Sequence, residues 1–250
     1  TAHRTAHRTA HRTAHRTAHR AAHRTAHPTV DAATSRPVTI SVETEPIAAI
    51  SPAAPPDGPA QLAMPALADA HNHARPLSTT SFGCGGKPLE TWLPQLAVMP
   101  SVDAYTAAVA SLARSVRGGA TGVMVHLTRA MGQKPLLEEA REIARAAADV
   151  GVSIGFAIAL RDRNPLIYGD HDTLLKELAP EVAQLARNTW LKPLPTVTEQ
   201  LALVDQVAFA LADQPHVDVQ YGPNGLQWCS DEMLRAVACA SARTGRRIHM

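Results

Sequence analysis

Cysteine is scarce in this chain of 250 residues. Cys84, Cys229 and Cys239 are odd in number and form no CxxC pair, which excludes a disulfide framework and a structural zinc knuckle. Aromatic residues make up only 4 % of the chain, too few for an aromatic-rich β-sandwich. No run of about eighteen apolar residues occurs, so no transmembrane helix is expected. The N-terminus has neither an apolar signal core nor an initiator methionine, and the expected location is the cytoplasm. Acidic residues are missing from positions 1–28, which hold six arginines. The net charge of +2 therefore resides in that tail, and the remainder of the chain is net acidic. A nucleic-acid-binding surface is not expected.

What the chain has in quantity is aliphatic: apolar residues reach 45 %, dominated by alanine, leucine and valine, enough to bury a sizeable core. Residues 1–28 are seven tetrads, five of them perfect Thr-Ala-His-Arg units. This period supplies no apolar stripe, and arginines four apart repel on a helix, so residues 1–36 read as a disordered low-complexity tail. Its histidines at i, i+4 would also suit a divalent metal, and its arginines a phosphate. Residues 37–63 read as one short strand, Val38 to Val42, and a Pro-rich linker over 51–60. Residues 64–250 read as the main domain.

From Leu67 a strand–helix rhythm sets in. Leu67 to His71, Gly122 to Leu127, Val152 to Leu160 and Val217 to Tyr221 read as strands, and Arg246 to Met250 begins a fifth. Helices are expected from Asp103 to Arg117, from Pro135 to the Gly151 stop, over 172–187, over 197–213, and from Ser230 to about Ala242. Thr196 and Glu199 form a capping box. Alternation without hairpin signals implies a parallel sheet with right-handed crossovers. No GxGxxG follows the first strand, which weakens a dinucleotide fold. Polar residues instead gather where strands end: His71, His73, His126, Arg161, Asp162 and Gln220. That pattern favours an α/β fold of the incomplete (β/α)8 TIM barrel type, with about five strands present.

Asp69-Ala70-His71-Asn72-His73 carries the sharpest chemistry. On a strand, residues two apart share a face, so both imidazoles point to the same side and could clamp zinc or iron. Two polar residues at a loop entrance would read the same way. The segment MPALADAHNHARPL, Met64 to Leu77, resembles the first-strand signature of the amidohydrolase superfamily, usually written PGxxDxHxH. The run Tyr221-Gly222-Pro223-Asn224-Gly225-Leu226-Gln227-Trp228-Cys229-Ser230-Asp231-Glu232-Met233-Leu234 is similar to the segment after strand four in its deaminases and triazine hydrolases.

The resemblance implies a divalent metal, zinc or iron, held by His71 and His73 together with a strand-five histidine and a strand-eight aspartate. It implies an activated water that attacks a carbon–nitrogen bond of a small heterocyclic substrate, with deamination as the outcome and a glutamate moving protons. Asp69 matches the acid of the motif and would hold the first-strand turn or a ligand. His126, Gln220 and Asn224 are the expected substrate contacts. Ala66 replaces the usual glycine, and Asn224 stands where adenosine-type deaminases carry a histidine. His249 is a candidate for the strand-five ligand, but the usual HxxE spacing favours a position beyond Met250. No catalytic residue is therefore assigned, because the proton-shuttling glutamate is expected beyond the chain end. Trp228 and Cys229 read as packing residues. The alternatives are a truncated, non-catalytic barrel fragment that binds metal weakly, or a His/Arg-repeat binding module with a passive domain. Neither nucleic acid nor membrane is an expected partner, and an assembly of identical chains is left open.

Overall fold

The computed structural model describes residues 37–42, 47–54, 63, 65–75, 79–96, 99–130 and 134–250. The repeat tail, residues 1–36, lies outside the described residues. The chain divides into two compact units, Thr1–Pro65 and Ala66–Met250. In the first, strand β1 (Val38–Val42) pairs antiparallel with β2 (Ile47–Pro52). The linker expected over 51–60 is corrected at its start, because Ser51 and Pro52 belong to β2 and face Thr39 and Val38. Pro52 is tolerated as the last residue of a two-stranded ribbon, where a missing N–H breaks no central ladder.

The second unit is a parallel arc. Strands β3 (Leu67–Asn72), β4 (Ala120–Leu127), β5 (Ser153–Leu160) and β6 (Val217–Pro223) lie side by side in chain order. Ile248 opens a fifth position by bridging parallel to Tyr221, and the His249 N–H donates to the Tyr221 carbonyl at 2.9 Å. Helices α1 (Leu89–Leu96), α2 (Ala104–Arg117), α3 (Leu136–Val150), α4 (His171–Glu177), α5 (Pro180–Thr189), α6 (Val197–Ala210) and α7 (Asp231–Thr244) run between them. This is an incomplete (β/α)8 barrel.

Local chemistry sets the boundaries. Asp103 caps α2 by accepting the Thr106 N–H at 2.9 Å, and Ser230 caps α7 by accepting that of Met233 at 3.1 Å. The Thr196–Glu199 capping box is formed in both directions. Gly151 and Gly245 end α3 and α7 at φ 81° and 72°, a left-handed turn that costs glycine little. The single helix expected over 172–187 is in fact α4 and α5. Pro180 has no N–H to continue the ladder, and Leu178 and Ala179 before it are extended. Helix α1, with Pro94 inside it, and the 3₁₀ turn Thr79–Phe82 were not expected.

The two faces of the sheet differ. Val125, Leu127, Ile154, Phe156, Ile158 and Tyr221 point outward and are buried under the helices, against Leu112, Val204 and Met233 among others. Several inward positions are small: Gly122 on β4, Gly155 and Ala157 on β5, Gly222 on β6. A Cβ on Gly222 would sit 2.8 Å from His126 Nε2, and one on Gly155 would sit 2.8 Å from Met124 Sδ. The shallow floor of β5 and β6 lets long side chains from β4 lie across it. Among the described residues no helix is long and apolar enough to cross a membrane.

Candidate metal centre

The end of β3 is shaped by a bulge. Between Asp69 and Asn72 the pairing with β4 advances three residues on one strand and two on the other, from Val123 to Val125. The Asp69 carboxylate fixes the turn, accepting from Asn72 Nδ2 at 2.8 Å, Ser115 Oγ at 2.9 Å and the His71 N–H at 3.4 Å. Asn72 Oδ1 in turn accepts from the Ala74 N–H at 2.7 Å and Ser111 Oγ at 3.1 Å. Ala74 sits at φ 52°, a left-handed position that this network holds. Desolvation pushes the Asp69 carboxyl upward, but the hydrogen bonds from Asn72, Ser115 and His71 outweigh it and leave its pKa below the ordinary value.

Four imidazoles converge above this turn. His71 Nε2 lies 3.3 Å from His73 Nε2, and His71 Nδ1 lies 3.3 Å from His249 Nε2. His73 Nδ1 donates to the His126 carbonyl at 2.8 Å, which leaves Nε2 as its lone-pair nitrogen. His126 Nε2 donates to the Gly222 carbonyl at 3.1 Å, reaching from β4 across β5 to β6. Desolvation lowers the pKa of His73 and His249, and holds that of His126 at about 4. All three are thus kept neutral at physiological pH, the form that can ligate a metal.

Donors around a tetrahedral zinc, with Zn–N of about 2.0–2.1 Å, stand about 3.3 Å apart. The two shortest nitrogen–nitrogen separations match that spacing. One nitrogen each of His71, His126 and His249 lies within 4.8 Å of the other two. The donor set therefore fits a divalent cation. Ile248 pairs with Tyr221, and His249 Nε2 thereby lies beside His71.

The remaining expected site residues are placed elsewhere. Gln220 faces inward, but β6 runs on to Pro223, so Gln220 is not a strand-end residue. Its Nε2 donates to the Asp218 carboxylate, which Arg247 also engages at 2.8 Å. Gln220 and Asp218 border a cavity of about 360 Å³ with Met124, Gly155 and Arg247, and none of the four clustered histidines lines it. Asn224 follows β6; its N–H donates to the Leu160 carbonyl at 3.1 Å, and its Oδ1 is buried without a hydrogen-bond partner among the described residues. Asp162 accepts the Ser230 N–H at 2.7 Å and bonds its hydroxyl, so it braces the start of α7. Gln200 fixes the backbone of Arg161 through both its amide atoms. Cys229 is buried, its Sγ donating to the Leu160 carbonyl at 3.4 Å, and desolvation raises its thiol pKa. The Trp228 carbonyl accepts the N–H groups of Asp162 and Arg163.

A parallel arc with histidines at the C-terminal ends of its strands is the architecture of metal-dependent barrel hydrolases. The pattern of the amidohydrolase family matches residues 62–250, and the chain belongs to that family. No curated protein matches the chain. Among solved structures it is similar to a variant of atrazine chlorohydrolase from Arthrobacter aurescens complexed with zinc and atraton, at 18 % identity and TM-score 0.59. That match covers 85 % of this chain and 48 % of the other. The zinc complex of the same enzyme matches over the same shares at 16 % identity and TM-score 0.52. An amidohydrolase from Brucella melitensis matches at 17 % identity and TM-score 0.54, over 82 % of this chain and 46 % of the other. These likenesses establish the fold, and the chain spans about half the length of the solved relatives.

Proposed function

We propose that this chain forms the metal-binding part of a hydrolase acting on carbon–nitrogen bonds other than peptide bonds, with deamination of a small heterocycle as the reaction. The observation that carries the reading is the convergence of His71, His73, His126 and His249 where the strands of the arc end. Zinc or iron suits an all-imidazole donor set. What such a cation supplies when bound is Lewis acidity and a nucleophile drawn from water at neutral pH.

The residues of the chain have distinct tasks. His71 and His73 hold the cation, with His249 beside them. Asp69 is a positioning residue: its carboxylate fixes Asn72 and the His71 backbone, and with them the direction of both imidazoles. Asn224 is the substrate contact with the most support, since its buried Oδ1 is an acceptor without a partner among the described residues. Gln220 and His126 are the other two contacts proposed, Gln220 from deeper in the arc.

One observation favours a second reading, a cation-binding arc without turnover. Among the described residues no carboxylate joins the histidine group, and the oxygens of Asp69 are engaged by Asn72, Ser115 and His71. Zinc-supplemented chain assayed for ammonia release from cytosine, adenine and amino-triazines separates the readings. Release that disappears in a His71→Ala, His73→Ala variant supports the hydrolase. Stoichiometric zinc without release supports the second reading, and absence of both removes each of them.

A further inference from the structure

The ends of β4 and β5 carry positive charge that the fold leaves unbalanced. Arg129 stands two residues past Leu127, the last residue of β4, and Arg161 directly follows Leu160, the last of β5. Leu127 faces Ile158 in the ladder, and continuing that register sets Arg129 level with Leu160, beside Arg161. Neighbouring strands lie about 4.8 Å apart, so the two backbones are adjacent. Both arginines stand at the histidine end of the strands. Arg129 is three residues past His126, at most about 11 Å of chain.

Each arginine is held in place without being neutralised. Arg129 Nη2 donates to the Leu96 carbonyl at 3.2 Å, at the end of α1. Gln200 clamps the Arg161 backbone, accepting its N–H at 3.0 Å and donating to its carbonyl at 2.9 Å. The acid next in the chain, Asp162, is spent on the N–H and hydroxyl of Ser230. Arg161 is half-buried, and desolvation, then the charge of Arg129, pull its pKa below the ordinary value with no carboxylate to offset them. Arg75, whose Nη2 donates to Thr128 Oγ1 at 2.9 Å, is the contrast: desolvation and Arg129 act on it too, but Glu139 offsets them in part. Among the described residues no salt bridge involves Arg129 or Arg161. A charge withdrawn from water is ordinarily paired.

We propose that Arg129 and Arg161 form an oxyanion clamp at the mouth of the arc, which receives a carboxylate or phosphate group of the substrate. A guanidinium offers five N–H donors in a planar fork that matches either oxyanion, and the Leu96 carbonyl engages Arg129 through Nη2 alone. The heterocycle turned over at the histidines therefore carries an acidic substituent, with its reacting carbon at the imidazoles and its charge at the arginines. The substrate class rests on the hydrolase reading above, whereas the clamp itself depends on the two arginines alone.

Calorimetric titration of the 250-residue chain in metal-free buffer of low ionic strength tests the clamp. The probes are inorganic phosphate, cytosine-5-carboxylate and cytosine. The wild-type chain is expected to bind at least one of the two anions saturably, and cytosine about 10-fold more weakly or worse. Arg129→Gln and Arg161→Gln should each weaken the anion by about 10-fold or more. Arg163→Gln, the same loss of charge two residues from Arg161, should stay within about twofold of wild type. Tighter phosphate supports the clamp and names a phosphate ester, and tighter carboxylate supports it and names a carboxylic acid. Absence of anion binding, cytosine binding as tightly as its carboxylate, or equal weakening in all three variants overturns the proposal. Arg129 is exposed, so Arg129→Gln carries the test if circular dichroism shows Arg161→Gln unfolded. Failure of the clamp leaves zinc uptake and ammonia release standing, and failure of those leaves anion binding in metal-free buffer unchanged.

Discussion

The outward and inward faces of the sheet in the second unit are made from the same strands by opposite means. Outward, Phe156, Ile158, Leu160 and Tyr221 are large, apolar and almost fully buried. Inward, Gly155, Ala157 and Gly222 offer almost no side chain, and His126 from β4 and Gln220 from β6 lie against the two glycines. Stability is therefore concentrated on one face and chemistry on the other. Period-two alternation keeps them separate, because each substitution reaches only one of them.

That separation can be broken most forcefully from outside. Phe156→Ala should cost about 3–5 kcal/mol in chemical denaturation, through lost burial and the cavity left behind. A loss under about 1 kcal/mol would show that the helices collapse onto the gap. Acid acts from inside, in the metal-free chain. His126 titrates near 4 in the folded chain against 6.5 ordinarily, so the unfolded chain takes up more protons as pH falls. Stability is full above pH 6.5 and declines toward pH 4, by about 3 kcal/mol from this group. His71, His73 and His249 face the same ring, and His126→Gln should flatten the slope that His126 contributes. An unchanged slope in the variant would assign it to His73 and His249.

Gly222→Ala sharpens the comparison further. Its new methyl meets His126 Nε2 at 2.8 Å and the Ile158 carbonyl at 2.9 Å. A loss of about 1–3 kcal/mol is expected in chemical denaturation. A loss under about 0.5 kcal/mol would mean that His126 can move aside freely. Gly122→Ala is the control on the same face, with no atom within 4 Å of the added carbon. It should change stability by less than about 0.5 kcal/mol, and a larger drop would reveal crowding along β4. Last, Cys239 is exposed while Cys84 and Cys229 are buried, so one thiol per folded chain should react promptly with a thiol reagent. Rapid labelling of Cys229 would mean that the loop after β6 opens.

Much of this was readable from residues alone, and the failures share a cause. The spacing of His71 and His73, the glycine stops at 151 and 245 and the Thr196–Glu199 box are local signals, and each appears where its spacing places it. Pro180 was also legible, as a residue that must interrupt the helix expected over 172–187. Gln220 was misplaced because strand boundaries depend on pairing: β6 pairs with β5 as far as Pro223, two residues beyond Tyr221. Nothing in the sequence near His126 announces Gly222, which is 96 residues away. Contacts of that kind belong to the assembled sheet rather than to any segment. The reach of His249 to His71 is of the same sort.

The hydrogen-bonding distance between His71 and His249 spans 178 residues of chain. A link between those two rings would be a clasp, fastening the first strand of the arc to the last. No short peptide from either end contains it, so metal uptake waits for the arc to assemble and then closes it. Such a link would remove a large share of the freedom of the unfolded chain, because closure entropy grows with the length enclosed. The ion would seal the fold rather than seed it, and the rate of metal capture by refolding chains would serve as a clock for the arrival of the fifth strand.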